Sequence, residues 1–355
     1  MKSIHISDVR AFRQCRRKWN WSSPLRRHLE PIKPYMPFLT GRAIHLALEK
    51  YYEDGSDMKE TVLDYFAKER KNIEQNEEIW LLAQDDFDDQ VELVWRMLDH
   101  YLMWIAQDDK KYSDGNLEFL ESEVKFETWL PTLKGYKSRK FSLGGRFDGI
   151  VRHKETGDYW LFETKTTRSI SELLKSLIND EQCGVYMHAA QKGLGIPVVG
   201  VLYNILRKKP ATYPKSLKSG GVSKAVSVDT TAFAYKRAII DHYPRWDEDT
   251  ILSEYGAVLE TLEEKEQKFF LRYPVYRSPE ELRLLMQNIY RTASEMVSGR
   301  TPLYPSPSWM TCNFCSFKSP CYTMNQGYDP EVFLQEEYQL RRYDEETEET
   351  SNDTS

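Results

Sequence analysis

Apolar positions divide the chain into stretches of different period. Across residues 77–107, Ile79, Leu82, Phe87, Val91, Val94, Leu98, Leu102 and Ile105 recur at helical spacing. Residues 57–73 carry the same period, and Thr40 stands where it can cap a helix over residues 41–52. Residues 8–19 read as a basic helix with Ser7 or Asp8 near its N-cap, followed by a connector containing Pro24, Pro31, Pro34 and Pro37. The period then drops to two. Residues 117–130, 141–153 and 159–166 read as strands, and Glu155-Thr156-Gly157-Asp158 turns the last two into a hairpin. Helices over 169–179 and 181–193 lead to a strand over 197–207. Helices over 230–242, 247–265 and 279–298, with a strand over 267–276, complete the body.

This order predicts an α/β protein with three strands, a helix and a further strand, preceded by helices. The chain divides into an N-terminal helix and basic connector (1–40), a helical region (41–116), a core (117–208) and a basic loop rich in Lys, Ser and Gly (209–228). A helix and strand continuation (229–300), a Cys-rich segment with a closing helix (301–343) and an acidic tail (344–355) follow. The tail is expected to be disordered.

At 40% hydrophobic residues the chain can bury a sizeable core. No run of about 18 apolar residues occurs, so no membrane span is expected. The start lacks the apolar stretch of a secretory signal, and the five cysteines are too scattered for a secreted disulfide scaffold, so a cytoplasmic protein is expected. The net charge of −6 argues against a polyanionic partner only at first sight. The tail alone holds six acids and no base. Residues 10–27 and 182–228 each hold seven bases and no acid. Local fields, not the sum, steer a charged ligand.

The candidate chemistry lies in the predicted hairpin. Glu163 and Lys165 share one strand face, and a turn centred on Thr156-Gly157 sets Asp148 opposite Lys165 with Glu163 diagonal to it. Paired carboxylates repel, and a hard divalent cation such as Mg²⁺ or Mn²⁺ would remove that cost. Lys165 would orient a water or neutralise charge on phosphate, which fits phosphodiester hydrolysis. Taken alone, the same residues also describe an ordinary exposed strand face. Gly41, His45 and Glu49 lie on one helix face, with His45 a further possible ligand, and Gln182 and Tyr186 stand one helical turn apart.

Cys312, Cys315 and Cys321 form a trio that needs a fourth ligand, and Cys15 and Cys183 are the candidates. Zn²⁺ or a [4Fe–4S] cluster would suit such a set, and reduced structural thiols are the alternative. Arg207, Lys208, Lys209, Lys215, Lys218 and Lys224 read as a phosphate-binding arm or a solvated loop. Trp19 and Trp21 are either base-stacking side chains or core.

In order along the chain, Cys15, Gly41 with His45, Asp148, Glu163 with Lys165, Gln182 with Tyr186, and Cys312, Cys315 and Cys321 resemble the PD-(D/E)XK nuclease superfamily. The closer likeness is to its RecB-like branch with an iron–sulfur cluster, which includes CRISPR-associated RecB-like nucleases, the AddB-type nuclease domain and related phage exonucleases. The resemblance implies a restriction-endonuclease-like αβββαβ core with large helical insertions and a C-terminal iron–sulfur segment. It implies a metal held by Asp148, Glu163 and the Thr164 carbonyl with His45 as an additional ligand, and Lys165 positioning the nucleophile. It gives Gln182 and Tyr186 to DNA contact or support, and Cys15 to the cluster as fourth ligand. The implied activity is a DNA exonuclease of recombination, replication or repair, acting on single-stranded DNA or duplex ends. A DNA-end-binding adaptor and a CRISPR-adaptation nuclease are the alternatives.

Overall fold

The structure, a computed structural model, describes residues 1–33, 35–106, 111–218, 220–265 and 269–341. Its helices are α1 (Ile6–Gln14), α2 (Arg16–Ser22), α3 (Met36–Asp54), α4 (Met58–Glu74), α5 (Glu77–Leu81), α6 (Gln84–Ile105), α7 (Ile170–Leu177) and α8 (Glu181–His188). They continue with α9 (Ala232–His242), α10 (Glu248–Glu263), α11 (Pro279–Val297), α12 (Trp309–Asn313), α13 (Lys318–Asn325) and α14 (Glu331–Glu336). The strands are β1 (Lys2–Ile4), β2 (Leu29–Pro31), β3 (Leu117–Pro131), β4 (Lys137–His153), β5 (Tyr159–Thr167), β6 (Val198–Arg207), β7 (Phe270–Val275) and β8 (Tyr338–Leu340). The predicted acidic tail lies outside the described residues.

The chain forms two compact units, neither of them a single stretch of sequence. One draws on Tyr35–Thr128 and Gly145–Leu282, the other on Met1–Pro34, Trp129–Gly144 and the chain from Arg283 onward.

The first of these carries a mixed sheet. β4 pairs β3 on one side and β5 on the other, and β6 and β7 follow. β4–β5 and β6–β7 are antiparallel, and β5–β6 is parallel. A parallel pair needs a crossover, which α7 and α8 supply. The αβββαβ order is therefore present as α3, β3, β4, β5, α7–α8 and β6. Val151, Trp160, Phe162 and Leu202 pack with Leu117 on the sheet, and a larger core joins Ala43, Ile44 and Leu48 of α3 to Phe66, Phe87, Val94 and Leu98.

The other unit brings the two ends of the chain together. β1 runs parallel to the start of β4, from Lys2↔Phe141 to Ile4↔Leu143. β2 pairs antiparallel with β8, Leu29↔Leu340 to Pro31↔Tyr338. Trp21, Leu29, Phe317, Leu334 and Tyr338 form its apolar centre. Arg27 holds Glu331 through two bonds of 2.6 and 2.8 Å.

Several boundaries differ from the sequence expectation. The helix expected over 8–19 is broken at Cys15, which is extended (φ −163°, ψ 114°), and α1 and α2 flank it. The helix expected over 41–52 begins a turn earlier, with Pro37 in its first turn where the missing N–H costs nothing. Thr40 is therefore interior, bonded to Gln90 Oε1 at 2.6 Å, and is not a cap. The helix expected over 77–107 is two, interrupted at Leu82 and Ala83, and Gln107 lies outside the described residues. Residues 301–326, expected to lack periodic structure, contain the short helices α12 and α13.

Candidate active site

The hairpin joining β4 to β5 does not turn on Thr156-Gly157. His153 N donates to Asp158 O and Gly157 N donates to His153 O, which closes a longer loop with Gly157 at φ +74°. The ladder then runs from Arg152↔Tyr159 to Gly149↔Phe162, so its next step brings Asp148 level with Glu163, not with Lys165. The expected register was off by two residues. A shift of two keeps every side chain on its face, whereas a shift of one would have separated the carboxylates.

Asp148 Oδ2 accepts from Thr164 N at 2.7 Å and lies 3.2 Å from His45 Nδ1. Glu163 is nearly enclosed, its side chain 4% exposed. Its Oε1 accepts from Lys165 Nζ at 2.6 Å and from Gln182 Nε2 at 2.8 Å. Its Oε2 is buried and has no hydrogen-bond partner. Gln182 Oε1 accepts from Lys165 Nζ at 2.9 Å, and Gln182 Nε2 donates to Tyr186 OH at 2.8 Å. The placement of α8 explains this net: Asp180 accepts from Gln182 N at its N-cap and from Tyr203 OH of β6, both bonds near 2.8–2.9 Å.

Electrostatics push the two carboxylates apart. Burial favours protonation of Asp148, but His45, Lys165 and the Thr164 N–H outweigh it and hold its pKa low. Burial, helped by Asp148, pushes Glu163 up to about 7. Burial opposes charge on Lys165 and His45, yet Glu163 and Asp148 respectively prevail and raise both. A buried carboxylate oxygen without a donor, beside a second carboxylate, suits a hard cation. No three His, Cys, Asp or Glu side chains among the described residues are already gathered as a ligand set. His45 is turned to Asp148, and Glu163 to Lys165 and Gln182.

A cleft opens onto this face, lined by His45, Glu49, Ser122, Glu123 and Asp148, with Tyr52, Phe119 and Phe162 on its apolar side. Tyr52 stacks on Phe119 at 3.7 Å, and the buried Arg272 donates to Tyr52 OH at 2.9 Å and to Tyr112 O at 2.6 Å. The sequence reading placed Glu49 on the His45 helix face without giving it a role. It missed Glu123, whose surroundings in an acid-rich strand carry no local signal.

Other candidates divide. Gln182 and Tyr186, weighed for DNA contact, are engaged inside the site, and Tyr186 is 8% exposed. Arg207 and Lys209 both hold Asp229, at 3.0 and 2.6 Å, and Lys224 lies 3.2 Å from Glu254. Lys208 Nζ donates to Pro37 O at 3.0 Å. The acid-free stretch is thus paired with acids just beyond it in sequence, while Lys215 and Lys218 are exposed. Trp19 and Trp21 are core, 1% and 3% exposed.

Cys15, Cys312, Cys315 and Cys321 all fall in the unit built from the chain ends, and all are free thiols. Burial pushes the Cys315 thiol up, and Cys15 and Cys321 push it the same way, so these three feel one another. Arg17 Nη1 donates to Cys321 Sγ at 3.4 Å. Cys183 is fully buried in α8 beside Met187, and burial pushes its thiol up to about 12.

No helix among the described residues is long and apolar enough to cross a membrane. A search of curated proteins finds no match. A sequence profile of the PD-(D/E)XK nuclease superfamily matches residues 4–322. That match runs through both strands of the carboxylate face and on past the last cysteine, so the chain belongs to the PD-(D/E)XK nuclease superfamily.

Proposed function

We propose that the protein is a divalent-cation-dependent deoxyribonuclease of the RecB-like kind that hydrolyses phosphodiester bonds at DNA ends. The observation that carries this reading is Glu163 Oε2, buried without a donor and level with Asp148. Asp148, Glu163 and the Thr164 carbonyl would hold Mg²⁺ or Mn²⁺, with His45 as a further ligand. Bound there, the cation would draw off phosphate charge and acidify a water. Lys165, clamped by Glu163 and Gln182, keeps a positive charge fixed on the same face, where it stabilises charge building on phosphate without reorganisation. Gln182, which also donates to Tyr186 OH, braces Glu163. The preference for ends, and roles in recombination, replication or repair, rest on the likeness to the RecB-like branch.

The same likeness supports a structural [4Fe–4S] cluster on Cys15, Cys312, Cys315 and Cys321, with Zn²⁺ as the alternative occupant. Four reduced thiols, three within electrostatic reach of one another, are suitable donors.

The test is digestion of end-labelled linear DNA and closed circular DNA with Mg²⁺, Mn²⁺ or chelator. Linear DNA should be degraded only with metal, and circular DNA spared. Asp148→Asn and Lys165→Ala should each slow cleavage by at least ~100-fold while retaining the fold. Cleavage at the parent rate in either variant would sink the site assignment. Equal attack on circles would sink the preference for ends.

A further inference from the structure

We propose that Arg146 is a DNA-phosphate-binding residue at the edge of the cleft, held ready by Glu123 and handed from that carboxylate to a phosphate when DNA enters. The proposal rests on the nuclease reading above and extends it to a residue outside the motif series.

Among the described residues only His28 and Glu123 adopt positive φ without being glycine, Glu123 at 52°. That region is costly for a side chain with a Cβ and persists where the surroundings demand it. Its effect here is geometric. Neighbouring residues of a regular strand point to opposite faces, yet Ser122 and Glu123 both line the cleft. The kink in β3 thus delivers the Glu123 carboxylate to the catalytic side, where it is 13% exposed.

Its partner there is Arg146, whose Nε forms an ion pair with Glu123 Oε2. Arg146 precedes Asp148 by two residues on β4 and so shares its face. Continuing the β4–β5 ladder sets it level with Lys165. The two cations differ in availability. The Lys165 ammonium is committed to Glu163 and Gln182. Arg146 is 49% exposed and meets Glu123 through Nε as an ion pair, and a guanidinium has four further N–H donors in a planar fork that suits phosphate.

The charges of the cleft need such a group. Glu49, Glu123 and Asp148 line the path of a polyanion. Glu123 meanwhile stays beside Glu49 and Asp148, and burial pushes it up to about 7 despite Arg146. The arginine end of the pair is half-exposed, so its guanidinium can reach a phosphate from where it already stands. Before substrate arrives, Glu123 aims the guanidinium and prevents it from closing on Asp148.

The experiment measures binding of the full chain to a short labelled duplex in chelator, across a KCl series. Arg146→Gln should weaken binding roughly 10-fold at 0.1 M salt and reduce the slope of log Kd against log salt by about one, the signature of one lost phosphate contact. Arg146→Lys should keep the slope. Glu123→Gln should tighten binding several-fold with the slope unchanged, because the arginine is released. With metal, Arg146→Gln should raise KM more than it lowers kcat. A purely structural pair would leave the slope alone and make both variants bind alike or worse. An unchanged slope in Arg146→Gln, or no tightening in Glu123→Gln, overturns the proposal, and the second arm stands if the arginine variant fails to fold. Absence of DNA binding by the parent protein would instead overturn the nuclease reading on which it rests.

Discussion

Asp148 and Glu163 carry the same functional group and stand level on adjacent strands, yet they hold protons differently. Asp148 receives a backbone N–H and His45, whereas one oxygen of Glu163 receives nothing. Near neutral pH such a pair prefers a single negative charge, and a cation would restore the second. Glu163 and Lys165 are legible in sequence because two-residue spacing fixes a shared strand face. Glu123 is not, because its placement depends on a backbone excursion that a glutamate gives no reason to expect. A different residue adds its own pH dependence to the stability of the fold. His100 on α6 is 2% exposed, accepts from Ala211 N at 3.3 Å, and is pushed by burial from its usual 6.5 to about 4. The unfolded chain therefore binds the proton first. The His100 contribution should be full above about pH 6.5 and be lost as pH falls toward about 4, by up to about 3 kcal/mol. The difference in denaturant midpoint between the parent and His100→Asn should move in the variant's favour as pH falls across that range. A constant difference would assign the loss to other groups.

Among the elements, α8 has the greatest influence on the site relative to its length. It projects Gln182 onto both Glu163 and Lys165, and its N-terminus is fixed by Asp180, which also ties it to β6 through Tyr203. Asp180→Ala should cost about 1–2 kcal/mol in chemical denaturation. It should also lower kcat several-fold with KM little changed, since α8 positions the reacting face without touching the cleft lining. Full kcat in that variant would show that Gln182 needs no such anchor. The order of these elements was legible from period alone, because buried faces of helix and strand repeat differently. Their breaks were not. Cys15 and the Leu82–Ala83 step interrupt runs whose apolar spacing continues unbroken, and no proline or glycine marks either place. The loop joining β4 to β5 was misjudged for a related reason: a Gly at positive φ fits more than one turn length, and only backbone pairing selects among them.

At the scale of the whole molecule, charge balance was the least informative feature of the sequence. Acid-free stretches meet acids supplied by the fold, as Asp229 meets Arg207 and Lys209, and Glu331 meets Arg27. The four cysteines of the motif series fall in one unit, drawn from stretches nearly 300 residues apart. If they hold an iron–sulfur cluster, anaerobically purified protein should contain iron and absorb broadly in the visible. Cys15→Ala and Cys312→Ala should lose both signals, and Cys183→Ala should keep them. Zinc in place of iron would reject the cluster assignment while keeping the metal site.

The joining of the two chain ends also sets a timetable for synthesis. The unit carrying the carboxylates draws on no residue beyond Leu282, so its sequence is complete while the ribosome is still working. Leu29–Pro31 must wait for Tyr338–Leu340 before β2 finds its partner. At ordinary elongation rates of about 5–20 residues per second, that wait is on the order of 15–60 s. For most of it Cys15 is a nascent-chain thiol without its three companions. Any metallation of this unit is therefore a late event: the unit carrying Asp148 and Glu163 is fully synthesised before Cys312, Cys315 and Cys321 exist.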